Sequence, residues 1–395
     1  MSRPAETLDA ILARAEELSN DFSLATVRAW KDEHPGAKAI GYLPVFAPIE
    51  LITAAGMHPV GIAGGGDQIE IIRGDAYVQS YICHIPRSII ELGVSGRLDA
   101  CDGFLFPSTC DVIRNLSGIW QLLFPDKYAR YVDVPQDFSP EIGGKWYRSE
   151  LEGIRRDLER LGERPICDDA LWEAIGAHDE QRDLLRALYD LRAERPWIVP
   201  TSELYLVQRA GLVLTAQDHS ELIRDYMRAA QAADRPKRDH ARVVIAGAFC
   251  EQPPIGLIRT LERAGCYIVD DDLLLGPRFI TERIAVPSAP NDPLDALVDA
   301  FLRHRQPAAF VYIGEDERGA ALAESVQARG AEGVIFASPS FCDPALLDKP
   351  MLAKALDKRG IAHVEIKYAE NTGQFQPIRE QAGTFADALK LWGAA

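Results

Sequence analysis

The sequence predicts an α/β protein: two Rossmann-like parallel-sheet domains with an additional helical domain. Three observations carry this expectation. Short apolar runs alternate with helix-length segments in residues 36–144 and again in 238–395, the pattern of parallel strands covered on both faces. Between them, over 145–237, the strand signal vanishes, and charged text with Leu and Ile at three- and four-residue spacing replaces it. At 395 residues, the chain is also longer than one ordinary core supports.

Each element has its own signal. Residues 6–33 alternate charge and apolar side chains at helical spacing, giving a helical segment over 1–35 that closes at Pro35 and Gly36. The first α/β domain, 36–144, opens with an apolar strand over 38–46, a proline-started helix over 48–57 and a second strand over 58–64. A helix over 86–96, a strand over 99–108, a helix over 112–123 and a strand over 128–135 complete it. The helical domain, 145–237, runs into the polar, basic stretch 232–241, which marks the clearest boundary. The second α/β domain, 238–395, offers strands at 241–249, 266–274, 308–316, 332–340 and 363–370. Helices at 255–265 and 320–329 lie between them, and a C-terminal helix covers 382–392.

Composition narrows the function. Hydrophobic residues at 47% and charged residues at 26% are the balance of a globular chain. The net charge of −16 is spread along the sequence, which argues against nucleic acid and supplies no basic face for a membrane surface. No run approaches 18 apolar residues, and the N-terminus lacks the apolar core of a signal peptide. The expected compartment is the cytoplasm, where seven cysteines read as thiols and ligands instead of a disulfide framework.

Three of those cysteines stand in polar breaks between elements: Cys83 in YICHIP, Cys110 in FPSTCDV and Cys342 in SPSFCDP. Core cysteines sit inside apolar runs, whereas these occupy positions from which a thiolate can face a ligand. Cys110 and Cys342 each follow a strand and precede a helix, and ligands of open parallel sheets bind beyond the carboxyl ends of the strands. A helix N-terminus also favours a thiolate through its dipole and N–H groups. On spacing alone, a metal site and ordinary buried thiols both stay open, because no C-x-x-C pair is present. Cys101 and Cys266 begin apolar strands and read as core thiols, while Cys167 lies in a charged, exposed loop. Cys250 follows a strand and is either a fourth ligand or an unpaired thiol. Structural zinc would want two close ligand pairs, which are missing.

Other motifs carry less. Gly64, Gly65 and Gly66 follow a strand without G-x-G-x-x-G spacing and read as a turn lining a pocket. There is neither a P-loop nor a G-x-S-x-G elbow. The run Asp270, Asp271 and Asp272 reads as a charged strand end in solvent instead of a magnesium site.

With the cysteines placed, the chain resembles the 2-hydroxyacyl-CoA dehydratase / benzoyl-CoA reductase family from about residue 36 to its end. The resemblance rests on GYLPVFAPIELITAAGMHPVGI, YICHIPRS, FPSTCDVIRN and FASPSFCDP, followed by NTGQFQPIREQAGTFADAL. It implies two Rossmann-like domains plus a helical domain, and one [4Fe-4S] cluster held by Cys83, Cys110 and Cys342 with one iron position open. Dehydratase subunits more often carry an Arg-Thr-Arg-type stretch after the late Gly-Gln pair. Here Ile378, Arg379 and Glu380 follow, a departure that favours the reductase branch.

That branch implies dearomatising reduction of benzoyl-CoA to a cyclic dienoyl-CoA. It also implies a related cluster-bearing subunit, an ATP-hydrolysing subunit pair and reduced ferredoxin as electron donor. A dehydratase subunit and a non-catalytic iron–sulfur scaffold are the alternatives. His84 is the implied proton donor, and Asp111 and Asp343 are weaker candidates for which helix capping or hydrogen bonding to the cluster surroundings is the plainer role.

Overall fold

The structure is a computed structural model that describes residues 6–247, 253–277, 282–303, 319–369 and 375–392. Two helices open the chain, α1 (Leu8–Ser19) and α2 (Ala25–Glu33). The Thr7 hydroxyl accepts from the Ala10 N–H at 3.3 Å to cap α1, and the Asp21 carboxylate accepts from the N–H groups of Ala25 and Thr26, both at 2.8 Å, to start α2.

The first sheet follows as β1 (Ala39–Tyr42), α3 (Ile49–Ala54), β2 (His58–Gly61), α4 (His84–Val94), β3 (Gly103–Pro107), α5 (Asp111–Leu123) and β4 (Tyr128–Val132). Four long or middling helices come next: α6 (Lys145–Gly162), α7 (Asp168–Glu194), α8 (Thr201–Ala210) and α9 (Ala216–Ala232). The second sheet contains β5 (Ala241–Ala246), α10 (Ile255–Arg263), β6 (Cys266–Asp271), α11 (Pro293–Arg303), α12 (Ala320–Ala328), β7 (Gly333–Pro339), α13 (Asp343–Asp357), β8 (Ala362–Tyr368) and α14 (Gln376–Trp392).

Both sheets are four-stranded and wholly parallel, in the orders β2-β1-β3-β4 and β6-β5-β7-β8. The two orders are the same arrangement. In each, the chain moves outward from its first strand to one side, then crosses to the other, so a crevice opens beyond the carboxyl ends of the first and third strands. The α/β fold expected from the sequence is present.

The strands are short apolar runs because both faces are covered. All seven residues of β7 are buried. One face of the first sheet packs against α4 and α5 through Phe104, Phe106, Ile89, Ile113 and Trp120. Its other face packs against α3, α6 and the first half of α7 through Ile40, Leu51, Leu151 and Ile175. Leu294 and Leu297 of α11 join that same cluster, although α11 follows β6 in the chain. The second half of α7 packs with α1, α8 and α9 around Leu188, Leu204 and Tyr226. The second sheet is covered by α10 and α14 on one side and by α12 and α13 on the other.

Three details depart from the sequence expectations. The strand read over 38–46 ends at Tyr42, because Val45 and Phe46 both turn into the left-handed region at φ 70 and 68. The last helix begins at Gln376, six residues earlier than its apolar spacing suggested. The aspartate run is not a solvated strand end. Asp270 and Asp271 are buried, Asp271 accepts from Arg192 at 2.6 Å and from Tyr189, and Asp270 accepts from Ser325 at 2.6 Å. A buried charge demands a partner, and that partner sits far away in sequence. The strand expected over 308–316 lies outside the described residues.

Candidate cysteine site

Cys83, Cys110 and Cys342 share one structural role. Each is the N-cap residue of a helix, α4, α5 and α13 respectively, and none caps its helix with a side-chain hydrogen bond. Cys110 follows β3 and Cys342 follows β7, the third strand of each sheet, which puts both at a switch-point crevice. Cys83 and Cys342 are buried in one apolar cluster with Ile85, Ile89, Phe106 and Ile113, and Cys110 packs against it half-buried. Cys342 and Ala345 are the only buried members of that cluster from beyond residue 213 among the described residues. All three thiols thus belong to or border one large apolar cluster.

The loop that delivers Cys83 is fixed by polar side chains of α4. The Glu91 carboxylate accepts from three successive N–H groups, Ile72 at 2.9 Å, Arg73 at 2.5 Å and Gly74 at 2.9 Å. Burial pushes that carboxyl up, but the three N–H donors outweigh it and hold Glu91 below its ordinary range. Arg87 grips Asp75 with two bonds, at 2.6 and 2.8 Å. The buried Ser88 hydroxyl accepts from the Gly65 N–H at 3.2 Å. Gly74 cannot carry a side chain, since a Cβ there would lie 2.2 Å from the Arg87 carbonyl oxygen. Sequence reasoning missed these anchors. Their signal was present as Ser88 and Glu91, polar residues three apart inside the apolar run IPRSIIELGV.

His84 is the first residue of α4 and half-buried. It lies close enough to Asp75 to help Arg87, the dominant partner, hold that carboxyl below its ordinary range. Asp111 and Asp343 are exposed in the first turns of α5 and α13, where a carboxylate is favoured by the helix dipole. Burial pushes the thiols of Cys101 and Cys266 up to about 12, so both are inert core cysteines. Cys167 is exposed at the start of α7. Cys250 lies outside the described residues.

Gly64 lines a small cavity under the N-terminal helices, with Leu18, Phe22 and Leu98. A second cavity of about 110 Å³ opens beyond the carboxyl end of β1, lined by Tyr42, Phe46, Glu50, Tyr147 and Arg182. Burial would raise the Glu50 carboxyl, but the ion pair with Arg182 overrides it and holds the group low.

Among the described residues, no three His, Cys, Asp or Glu side chains surround a single ion-sized point. The iron–sulfur cluster that the family resemblance implies is held by cysteine thiolates. The donor chemistry fits such a cluster: three soft thiols, each at the positive end of a helix of eleven or more residues, with apolar side chains between them.

Two sheets of one strand order, each with a cysteine at the helix N-cap position beyond its third strand, define a doubly wound α/β protein. The chain belongs to the family described as 2-hydroxyglutaryl-CoA dehydratase, D-component, whose profile matches residues 44–389. It is 52% identical to the C-subunit of benzoyl-CoA reductase of Thauera aromatica, over 97% of this chain and 98% of that one. It is 28% identical to the (R)-phenyllactyl-CoA dehydratase beta subunit of Clostridium sporogenes, over 90% and 93% of the two chains. It is also 28% identical to the beta subunit of (R)-2-hydroxyglutaryl-CoA dehydratase of Acidaminococcus fermentans, over 96% and 100%. All three relatives are subunits of larger enzymes by name. No helix among the described residues is long and apolar enough to cross a membrane.

Proposed function

We propose that this chain is the iron–sulfur subunit of an ATP-dependent benzoyl-CoA reductase, equivalent to the Thauera aromatica relative and working in the cytoplasm. The observation that carries the reading is the relation to that reductase subunit along almost the whole chain, far above the relation to the dehydratase subunits. Cys83, Cys110 and Cys342 would hold a [4Fe-4S] cluster. When bound, that group would supply single electrons at low potential for adding two electrons and two protons to the aromatic ring, with reduced ferredoxin as donor.

The chain's own residues have definite tasks in this reading. Three helix N-termini would direct partial positive charge at the cysteine sulfurs, which favours thiolate ligands. The apolar cluster around Cys83 and Cys342 excludes water. Glu91 and Arg87 hold the loop in register so that Cys83 cannot drift. His84, the first residue of α4, would give the proton. Large apolar side chains stay exposed within a few residues of the cysteines along the chain, notably Tyr81, Phe341 and Leu347, and such side chains suit contact with the related cluster-bearing subunit. An ATP-hydrolysing pair would deliver the electrons, consistent with the lack of a P-loop here.

A dehydratase subunit is the second reading, supported by the family profile. Assaying the assembled complex with benzoyl-CoA against a 2-hydroxyacyl-CoA separates the two. Reduction of the ring with no dehydration supports the reductase, and the reverse outcome overturns it.

A further inference from the structure

A cavity of about 310 Å³ lies at the amino ends of β5 and β6, the edge of the second sheet opposite Cys342. With strand rise near 3.3 Å, the seven residues of β7 separate the two edges by about 20 Å. The volume falls at the small end of ligand sites, which run from about 300 to 1,000 Å³. Its walls are stiff, formed by Pro196, Pro200 and Pro236, and its apolar surface includes the rings of Trp197 and Tyr267, 6.4 Å apart.

The charge around it runs against the rest of the molecule, which is −16 overall. Arg235, Arg238, His240 and Arg263 line it together with one carboxylate, Glu262, and the Lys237 ammonium sits 4.9 Å from the Trp197 ring centre. The acids nearby are already engaged. Glu203 pairs with Arg235 at 2.7 Å, Asp239 pairs with Lys390 at 3.2 Å, and Glu262 accepts from the N–H and hydroxyl of Ser202 at 2.9 and 2.7 Å. Among the described residues, no carboxylate pairs with Lys237, Arg238 or Arg263. The two rings are tilted by 56°, with Lys237 over Trp197 and His240 4.7 Å from Tyr267, so a planar base would meet one ring face and the edge of the other, beside three cations with no carboxylate partner among those residues.

We propose that this cleft binds an adenine nucleotide, with the base against Trp197 and Tyr267 and the phosphates on Arg238 and Arg263. The same chemistry is offered by a free nucleotide and by the nucleotide end of a coenzyme A thioester. Both arms are tested by titrating the anaerobically prepared full chain with ADP, with CoA and with inorganic phosphate, followed by calorimetry.

ADP and CoA should bind at micromolar concentration and compete with each other, and phosphate should bind at least about tenfold more weakly. The double variant R238Q/R263Q should weaken both nucleotides at least about tenfold, as should W197L, because exposed arginines and a rim tryptophan can be replaced without unfolding the chain. In the assembled enzyme, a raised KM for the CoA thioester in R238Q/R263Q assigns the cleft to the substrate's nucleotide. An unchanged KM with lost ADP binding assigns it to a free nucleotide. The proposal is overturned if neither ADP nor CoA binds the folded chain at millimolar concentration, or if binding survives both variants. Loss of assembly with other subunits in R238Q/R263Q, without nucleotide binding in the unsubstituted chain, would make the surface a protein interface and overturn it equally.

Discussion

Cys83 and Cys342 lie in the same buried apolar cluster, although one caps a helix on the first sheet and the other caps a helix on the second. Their common neighbourhood exists only when the two sheets are correctly docked. Anything held by both thiols would therefore tie the two sheets together, and its loss would loosen that contact.

The Glu91 anchor offers a test of how Cys83 is held. Replacing Glu91 by Gln removes the charge from three short N–H contacts to the loop at 72–74. Each charge-assisted bond of this kind contributes about 1.5–3 kcal/mol. The expected outcome is retained folding but several-fold faster loss of iron to a chelator, followed by absorbance. Equal rates in the two proteins would remove the loop from the account.

The Arg192–Asp271 pair is a stability element remote from the cysteines. Arg192 is fully buried and bonds Asp271 at 2.6 Å, joining α7 to β6. Removing Asp271 leaves buried Arg192 with only the longer carboxylate contact, to Asp270 at 3.4 Å, and removing Arg192 leaves two buried carboxylates without their shared cation; losing a buried partner of this kind costs about 3–5 kcal/mol. Asp271→Leu and Arg192→Leu should each lower the urea midpoint clearly. Replacing both by leucine should cost less than the two single changes added together, which a double-mutant cycle measures.

His219 predicts a pH dependence. Burial pushes its pKa down to about 4, against the smaller raising effect of the Val207 carbonyl. The geometry agrees with a neutral ring, since Nε2–H donates to that carbonyl at 2.9 Å and Nδ1 accepts from the Gln181 amide at 2.7 Å. An unfolded imidazole protonates near pH 6.5. The contribution is thus full above about pH 6.5 and is lost as pH falls toward 4, amounting to about 3 kcal/mol. Urea unfolding at several pH values should show this decline, and His219→Gln should flatten it.

Much of the fold was legible because buried parallel strands are short apolar runs separated by helix-length text, and that pattern is local. Cys110 and Cys342 were legible as helix-capping residues for the same reason. What escaped was decided by partners distant in sequence. Asp271 looks solvated until Arg192 is folded against it, and α11 looks like part of the second sheet until Leu294 and Leu297 reach the core of the first. Val45 and Phe46 read as strand because nothing local announces a left-handed backbone at a β-branched residue. The long loop before Cys83 is organised by side chains of the helix that follows it, so neither its path nor its anchors were visible from turn residues.

The central claim is that Cys83, Cys110 and Cys342 together hold one iron–sulfur cluster. The most direct measurement is iron, acid-labile sulfide and the thiolate-to-iron absorption near about 400 nm in the anaerobically prepared chain and its single Cys→Ser variants. The account predicts that each of Cys83→Ser, Cys110→Ser and Cys342→Ser loses the band and most of the iron, while Cys101→Ser and Cys266→Ser keep both. A chain without labile sulfide, or one whose band survives loss of Cys342 and vanishes with Cys101, would contradict it.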